Sequence, residues 1–507
     1  MANNNTPNRR DLLKLLSVLP AAAGVSSLVR ALPKANNSSG HIILLVFDAW
    51  SARNVNLYGY KRETMPNLTK WADRAIVYRQ HHTAGNYTVP GTASLLTGAH
   101  PWSHRAINLG GRINKEYQNR TLFNVLSPKM NTVGFSQNIY ADQFLAQSGS
   151  GLNSHLPFGS FNLNDRVIYD APFFTRDSIN AYSAFEDGIV QHGKGIDGSL
   201  FMGPLVRLKA TRDQAVLLPK YGEGYYNGLP ESLESYTLAG VVDGMINTLE
   251  SLSKPSFVYF HVFAPHDPYR PYARFFNAFK DDGLISPPKP DHPIIGNPVQ
   301  LKRMQSEQLK YDAFIASWDQ ELARFFEFAQ TSGLRDSSTI VITSDHGEMH
   351  ERGVSGHSTQ LLSEPLLHIP LIITTPGVTE QKNVSSLTSS VDILPTLTNL
   401  AGVAIPDWVE GQLLPLMGGQ EDPARSVYAL EAGSNSAFAP ITEYSFAILK
   451  NDLKITRYQY KNYTGTEVFN FVKDPDENTD LHDQNDPEIA TIKLELGKKI
   501  AEFGLAN

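Results

Sequence analysis

Cysteine is absent from this sequence of 507 residues. Its absence excludes disulfide bonds, thiolate metal ligands, a cysteine nucleophile and any modified residue that is made from cysteine. Long runs of like charge are also absent, and the net charge of -7 argues against a general nucleic-acid-binding protein, which usually carries a basic face. We therefore predict that nucleic acid is not a partner.

Apolar runs long enough to cross a membrane are missing as well. A spanning helix needs roughly 20 apolar residues, and the apolar stretch near the N-terminus is shorter and interrupted. Hydrophobic residues make up 41% of the chain and charged residues 19%, values typical of a soluble globular protein. We predict one large and one smaller domain, with no integral membrane span in the mature chain.

The N-terminus has the pattern of an export signal. Paired arginines in 8-NRRDLLKLL-16 precede a modest apolar run, and Val29-Arg30-Ala31 offers a small-residue cleavage site. This pattern is typical of a twin-arginine signal over residues 1–31, followed by a polar spacer over 32–40. The twin-arginine translocase is then a partner, and we expect a periplasmic or extracellular bacterial protein. The alternative interpretation is an amphipathic N-terminal helix.

Apolar strands alternate with amphipathic helices along the central part of the chain. The first strand, in 41-HIILLVFDAW-50, is continuously apolar, as strands buried on both faces are. Further strands are predicted at 256–263, 339–345 and 369–376, and helices at 67–75 and 307–329. This alternation predicts an α/β domain with a largely parallel central sheet covered by helices on both sides.

Two other regions differ from this pattern. Residues 146–235 are rich in Gly, Ser, Asn, Asp and Tyr, and we interpret them as an insertion or long loops inside a catalytic domain at 41–430. Segment 444–477 alternates like antiparallel strands, and 487–504 is predicted to be a helix. We therefore predict a small C-terminal α+β subdomain with an antiparallel sheet at 431–507.

Acidic residues stand where two predicted parallel strands end. Asp48 follows the first strand, and Asp345 with His346 follows the strand at 339–345. A single Asp at such a position is usually a turn or capping residue, but two of them with an adjacent His indicate a ligand site, because open α/β sheets bind ligands at these ends. Oxygen ligands with one imidazole suit one divalent ion: Mn²⁺, Mg²⁺, Ca²⁺ or Zn²⁺.

The order of several motifs resembles that of the sulfatase branch of the alkaline phosphatase superfamily. The motifs are FDAW at 47–50, PNLTKWADRA at 66–75, T-x-P-x-x-x-S-L-L-T-G at 88–98, TSDHGE at 343–348, VDILPTLTNLAG at 391–402 and EVFNFVKDPDENTDL at 467–481. The resemblance runs from residue 41 to the C-terminus, apart from about 150–235. It implies an alkaline-phosphatase-like three-layer sandwich followed by the C-terminal subdomain.

The resemblance also implies roles for individual residues. Asp48, Asp345 and His346 would bind the metal, and Thr88 would be the nucleophile that also contacts the metal. His266, in 264-APHDPY-269, matches a histidine near the leaving group. His357 lies where family members place a Lys or His.

Departures from the family pattern point to different chemistry. Sulfatases proper have Cys or Ser at the nucleophile position, oxidised to formylglycine, with an Arg four residues later. This chain has Thr88, with Thr92 in place of the Arg and Ala49 in place of a second Asp. A lysine of the family is replaced in 136-SQN-138. A threonine ester is stable and must be cleaved at phosphorus by water or an alcohol, as in the phosphodiesterases and transferases of the superfamily.

Elementary chemistry supports these roles. A threonine hydroxyl needs a base or a metal to become a nucleophile. Pro90 and Gly91 suit a helix start, where backbone N–H groups face an anion. A histidine such as His266 can protonate a leaving oxygen near neutral pH.

We therefore predict a metal-dependent ester hydrolase or transferase that acts on a phosphate, phosphonate or sulfate ester of a small molecule, glycan or lipid. Two alternatives remain: a sulfatase that works without formylglycine, and a non-catalytic binding protein. Structural roles also compete at single positions: Thr88 as a helix cap, and His266 and His357 as hydrogen-bonded structural residues. Asp267 is interpreted as a turn residue and His261 as a core histidine.

Overall fold

The computed structural model describes residues 40–163, 224–231, 235–284 and 288–505, with scattered positions between 208 and 221. The predicted export signal and nearly all of its spacer, residues 1–39, lie outside the described residues. So does much of the predicted insertion at 146–235. Those assignments stay predictions.

A large mixed sheet forms the centre of the described chain, with strands in the order β10-β2-β9-β6-β1-β5-β3-β4. Its strands are β1 (Ile42–Phe47), β2 (Ile76–His82), β3 (Asn131–Ser136), β4 (Ser154–His155), β5 (Ser256–Val262), β6 (Thr339–Ser344), β9 (Leu371–Thr374) and β10 (Lys382–Ser389). All neighbours are parallel except at β9, which runs antiparallel to β2 and β6. The predicted, largely parallel sheet is confirmed. A separate hairpin joins β7 (Met349–Glu351) to β8 (Val354–Gly356).

Helices cover both faces of this sheet. Within the described ranges they are α1 (Pro66–Trp71), α2 (Thr88–Thr97), α3 (Pro101–His104), α4 (Leu122–Leu126), α5 (Ile139–Gln147), α6 (Leu238–Glu250), α7 (Leu301–Thr331), α8 (Leu334–Ser337), α9 (Glu364–Leu367), α10 (Ile393–Leu400) and α11 (Pro487–Glu502). The helix predicted at 307–329 is the central part of α7. A search of the described helices finds none with the length and apolarity needed to span a bilayer.

Strand β1 shows how the layers form. Its odd-numbered residues Ile43, Leu45 and Phe47 pack into a core with α6 and α7, whereas its even-numbered residues pack into a second core with α2 and α10. Successive side chains of a strand point to opposite faces, so a continuously apolar strand must be covered twice. The result is the predicted three-layer arrangement.

A second sheet of four antiparallel strands follows in the chain. Its strands are β11 (Val427–Glu431), β12 (Tyr444–Lys450), β13 (Leu453–Gln459) and β14 (Thr464–Asn470). Apolar residues of α11 pack on this sheet, among them Ile492 and Leu496. The C-terminal antiparallel sheet and closing helix are therefore present as predicted, although the sheet begins at Val427 rather than after residue 430.

A buried ionic network joins the two sheets. Lys454 of β13 forms ion pairs with Glu477 and, at 3.4 Å, with Glu364 at the start of α9. Its ammonium group also donates to the carbonyl of Leu362 at 2.8 Å. Glu364 in turn lies 3.2 Å from His82 Nε2, at the end of β2. The ion pairs thus tie strand β13 of the C-terminal sheet to α9 and to the end of β2 in the central sheet.

Candidate active site

Strand pairing brings the two predicted acidic positions together. Strands β1 and β6 are parallel neighbours in which Phe47 pairs with Ser344, so Asp48 and Asp345 leave the sheet side by side. Ser344 Oγ lies 2.6 Å from each of the carbonyl oxygens of Phe47 and His346, between which its single proton is shared. This side chain fixes both strand ends in one position.

The three predicted metal ligands form one compact buried cluster. Asp48, Asp345 and His346 are fully buried, and one ligand atom from each lies within 4.8 Å of the others. His346 Nε2 is 3.3 Å from Asp48 Oδ1 and 3.7 Å from Asp345 Oδ2. The other Asp345 oxygen, Oδ1, accepts the backbone N–H of His346 at 3.0 Å.

Thr88 enters this cluster as the first residue of α2. Its Oγ1 lies 3.3 Å from His346 Nε2 and accepts a hydrogen bond of 3.3 Å from Asn138 Nδ2, and the residue is 4% exposed. Pro90 removes no helical hydrogen bond, since the first four N–H groups of a helix have no partner inside it. Gly98, with a φ of 65°, ends the helix in the left-handed conformation typical of a C-terminal cap. The interpretation of Thr88 as a mere helix cap is incomplete, because its hydroxyl faces the cluster.

Helix α2 is held tightly against the Asp345 backbone. A Cβ atom at Gly91 would lie 2.2 Å from the carbonyl oxygen of Asp345, so only glycine permits this approach. Thr92 Oγ1 donates to Asp345 Oδ2 at 3.3 Å, and Thr83 Oγ1 donates to the Asp345 carbonyl at 2.6 Å. Thr92 therefore supports a carboxylate of the cluster.

Two residues of the cluster were not predicted from the sequence. Asn138, which caps α5, donates to Asp48 Oδ2 at 2.6 Å as well as to Thr88. His261 of β5 lies with Nε2 3.4 Å from Asp48 Oδ2 and 3.7 Å from Asp345 Oδ2. The sequence signal for both was weak: Asn138 stands in a departure from the family pattern, and His261 lies within an apolar strand.

His266 and His357 lie beside the cluster. The ring centroid of His357 is 4.4 Å from that of His346 and 4.7 Å from that of His266. His357 Nδ1 is 3.0 Å from Glu348 Oε1, and His266 Nδ1 is 2.5 Å from the carbonyl oxygen of Asp267. His266 is partly exposed, with 16% of its side chain accessible, whereas the cluster behind it is closed. Asp267 lies in a bend of the chain, in keeping with its predicted role as a turn residue.

The pKa values of three histidines at the site are shifted in different directions by burial and by neighbouring charges. Burial lowers the pKa of His346, but the charges of Asp345 and Asp48 outweigh this effect and raise it to about 9. Burial likewise opposes protonation of His266, yet the charges of Asp48 and Asp267 raise its pKa above the usual value. Burial and the neighbouring charges of His346 and His266 together lower the pKa of His357 well below that value. The two pKa shifts have opposite directions, so protonation is favoured at His266 and disfavoured at His357.

The cluster fits a divalent cation. Asp48 Oδ1 is buried and has no hydrogen-bond partner, and in the described part of the chain neither Asp48 nor Asp345 forms an ion pair with a Lys or Arg. Burying carboxylates without such partners is costly unless a cation compensates. Carboxylate oxygens and imidazole nitrogen are suitable ligands for Zn²⁺ and other divalent metals.

Comparison with known protein families shows which family the chain belongs to. The sulfatase family profile matches residues 40–403, which include every residue of the cluster. The chain belongs to the sulfatase family. A second profile, the C-terminal domain of N-sulphoglucosamine sulphohydrolase, matches residues 357–504 of this sulfatase-family protein.

Individual relatives are distant. An ulvan-active sulfatase of Formosa agariphila is 27% identical over 53% of this chain and 53% of its own length. An arylsulfatase K of Xenopus laevis matches over 38% of its length, so the chain spans about half or less of these two relatives. A multifunctional alkaline phosphatase superfamily protein of Trinickia caryophylli, PehA, is 21% identical over 92% of this chain and 95% of its own.

Solved structures share the fold across nearly the whole chain. The phosphonate monoester hydrolase of Silicibacter pomeroyi superposes with a TM-score of 0.63 at 16% identity, covering 91% of this chain and 94% of that one. A protein solved with its substrate D-glucosamine-2-N,6-O-disulfate gives the same TM-score and identity, over 92% and 97% of the two chains. The sulfatase-family protein therefore has the fold of these solved structures over nearly its whole length.

Substituting Gly91 should test whether close approach of α2 to Asp345 is needed for activity. We expect Gly91→Ala to lower kcat about 100-fold, because a displacement near 1 Å can cost that much, and to reduce the free energy of unfolding by about 1–3 kcal/mol. Gly497→Ala is the matched control: it lies in α11 with nothing within 4 Å of an added Cβ. That variant should keep kcat and gain up to about 1 kcal/mol of stability. Ester turnover and urea denaturation measure both effects, and unchanged kcat in Gly91→Ala would contradict the expectation.

Proposed function

We propose that this sulfatase-family protein is a metal-dependent enzyme in which Thr88 attacks a phosphate, phosphonate or sulfate ester. The observation that carries the proposal is the position of Thr88 Oγ1, buried and 3.3 Å from both His346 Nε2 and Asn138 Nδ2. A threonine that only capped a helix would direct its oxygen to the N–H groups of its own first turn. Thr88 Oγ1 instead faces the imidazole of His346 and the side-chain amide of Asn138.

Asp48, Asp345 and His346 would hold the cation, with Thr88 Oγ1 beside it. When bound, a divalent cation lowers the pKa of a neighbouring hydroxyl and offsets charge on the transferred group. Asn138 donates to Thr88 Oγ1 and so stabilises the alkoxide that remains when the hydroxyl proton is lost to solvent. The same amide holds Asp48 at 2.6 Å, which links the orientation of nucleophile and ligand.

Attack forms a bond from Thr88 Oγ1 to phosphorus or sulfur and breaks the bond to the leaving oxygen. His266 is placed to give that oxygen a proton from Nε2, since its Nδ1 is engaged by the carbonyl of Asp267. His357, held through Nδ1 by Glu348, presents a neutral ring beside His266. Water in a hydrolase, or an acceptor alcohol in a transferase, then forms a bond to phosphorus or sulfur. The bond to Thr88 Oγ1 breaks in this step, and the proton of the water or alcohol returns to Oγ1.

Phosphorus esters are the favoured substrates in this proposal. The chain has no cysteine, and threonine rather than serine stands at position 88, so neither precursor of the sulfatase aldehyde occupies the nucleophile position. One of the solved structures that share the fold is a phosphonate monoester hydrolase. A sulfatase that works without formylglycine is the second candidate, supported by the ulvan-active sulfatase and by a choline-sulfatase of Rhizobium meliloti among the relatives.

Trapping the covalent intermediate tests the proposal. Metal-loaded protein is mixed with an aryl phosphonate, an aryl phosphodiester or an aryl sulfate, quenched in acid and digested with trypsin. Peptide 80–105 contains Thr88 between cleavage sites at Arg79 and Arg105. We expect it to gain the mass of the transferred phosphoryl group, located on Thr88 by fragmentation, and the gain should be absent in Thr88→Ala.

Other outcomes of this experiment distinguish the candidates. A sulfo group on Thr88, with turnover of the aryl sulfate alone, would identify the second candidate. The absence of turnover and adduct with every ester, together with unchanged ligand affinity in Thr88→Ala, would indicate a binding protein instead.

A further inference from the structure

His261 is a buried histidine with one ring nitrogen that no neighbour in the described structure satisfies by hydrogen bonding. It is fully buried on β5, and its Nδ1 lies 2.9 Å from the hydroxyl of Tyr259. Its Nε2 has no hydrogen-bond partner in the described structure. A buried polar atom without a partner is costly, so the position of this nitrogen requires a reason.

The nitrogen points at the same carboxylates as His346. His261 Nε2 is 3.4 Å from Asp48 Oδ2, and His346 Nε2 is 3.3 Å from Asp48 Oδ1. Each of the two nitrogens is 3.7 Å from Asp345 Oδ2. The two imidazoles thus face different oxygens of Asp48 and the same oxygen of Asp345.

These separations match the edges of a coordination shell. Four ligands at bond lengths of about 2.0–2.2 Å in tetrahedral geometry lie roughly 3.3–3.6 Å apart. Hydrogen bonds from N–H to oxygen are shorter, at about 2.7–3.2 Å. The separations of His261 Nε2 from the two carboxylates, 3.4 and 3.7 Å, are thus wider than direct hydrogen bonds and close to the spacing of two ligands on one ion.

We propose that His261 is a further ligand of the cation held by Asp48, Asp345 and His346. The proposal rests on the metal dependence in the proposed function. The Nδ1–H of His261 donates to the Tyr259 oxygen, which leaves the Nε2 lone pair for the metal. Outer hydrogen bonds of this kind orient most metal-ligating histidines.

This ligand changes the class of metal expected. Two imidazole nitrogens with carboxylate oxygens suit Zn²⁺ and similar transition metals, whereas Ca²⁺ and Mg²⁺ prefer sites composed of oxygen ligands. The site therefore selects Zn²⁺ over Ca²⁺ and Mg²⁺. A site with His346 as its single imidazole would discriminate less between Zn²⁺ and these two oxygen-preferring ions.

Counting the metal-bound nitrogens tests the assignment without measuring activity. Electron spin-echo envelope modulation of the Mn²⁺-loaded full chain should show two imidazole nitrogens coordinated to the ion. His261→Gln should show one, and its Zn²⁺ affinity in isothermal titration should fall by more than the 10- to 100-fold typical of losing an outer partner. Tyr259→Phe should keep both nitrogens and lose 10- to 100-fold in affinity.

His81→Gln is the matched control. His81 is equally buried, its Nδ1 lies 2.9 Å from the hydroxyl of Thr388, and its Nε2 also has no hydrogen-bond partner in the described structure. This variant should retain two metal-bound nitrogens and the affinity of the wild type. The control therefore distinguishes an effect on metal coordination from an effect of replacing any buried histidine in the core.

Three results would overturn the proposal. One bound nitrogen in the wild type refutes it while leaving Thr88 catalysis intact, as does an unchanged nitrogen count in His261→Gln. Failure of the wild type to bind Mn²⁺ or Zn²⁺ refutes it together with the metal-dependent mechanism. If His261→Gln does not fold, the number of metal-bound nitrogens in the wild type still decides whether a second imidazole is a ligand.

Discussion

Thr88→Ala should lower kcat for ester cleavage by about 10⁴- to 10⁶-fold, the range seen when a catalytic nucleophile is removed. The substitution deletes the oxygen that lies 3.3 Å from His346 Nε2, and the helix that follows is unchanged. The proposed metal ligands Asp48 and Asp345 remain, so the variant should still bind the cation. Single-turnover kinetics and metal analysis of the same preparation measure both properties.

Two variants serve as controls for this result. Thr88→Ser keeps the hydroxyl and should retain kcat within about 100-fold, since the smaller side chain loses only the χ1 restriction of a β-branched residue. Thr97→Ala removes a buried hydroxyl at the far end of the same helix, where it donates to the carbonyl of Ala93 at 2.7 Å. That variant should keep kcat. Equal activity of Thr88→Ala and wild type would refute the nucleophile assignment.

The second large effect concerns stability. Lys454→Met should lower the free energy of unfolding by about 3–5 kcal/mol, because removing one partner of a buried ion pair leaves the other charges uncompensated. Lys454 is 1% exposed, and both of its partners, Glu364 and Glu477, are 2% exposed. Burial acts to raise the pKa of Glu364, but the charges of Lys454 and His82 outweigh this and hold it well below its usual value.

The sign of the pH dependence follows from that depressed pKa. Glu364 binds a proton more weakly in the folded than in the unfolded chain, so its contribution to stability is present above the unfolded pKa and is lost as the pH falls below it. Urea denaturation of wild type and Lys454→Met at neutral pH and at pH 4 should therefore show a smaller difference at the lower pH.

Lys461→Met is the control for this prediction. The Lys461 side chain is 88% exposed and its pairing with Glu443 spans 3.5 Å, and exposed pairs contribute about 0–1 kcal/mol. Its denaturation midpoint should be close to that of the wild type. A Lys454→Met midpoint that also stayed unchanged would mean that the buried network does not stabilise the junction of the two sheets.

The cluster of proposed metal ligands could be predicted from the sequence because of strand topology. Parallel strands end at the same edge of a sheet, so polar residues directly after two apolar strands are expected to converge there. Asp48 and Asp345 meet this condition, and the pairing of Phe47 with Ser344 places them side by side. His346 was accessible for the same reason, being adjacent in the chain to Asp345.

His261 and Asn138 could not be assigned in this way. Their contribution depends on which strands become neighbours and in which register: β5 lies beside β1, with His261 opposite Val46, and β3 lies on the other side of β5 with Ser136 opposite His261. A histidine in an apolar strand faces either a core or a site, and a shift of one residue would exchange the two faces. The sequence pattern alone contains no information on this register.

The amino-acid sequence by itself thus determined the layered α/β class, the C-terminal antiparallel sheet, and the side chains that follow the ends of β1 and β6. Periodicity and residue type suffice for these because they depend on local structure and on burial of apolar faces. Only the tertiary structure decided that Thr88 faces His346 rather than its own helix, that Asn138 bridges Thr88 and Asp48, and that His261 points at the carboxylates. These relations join segments up to some 260 residues apart, and packing of the whole sheet sets their distances.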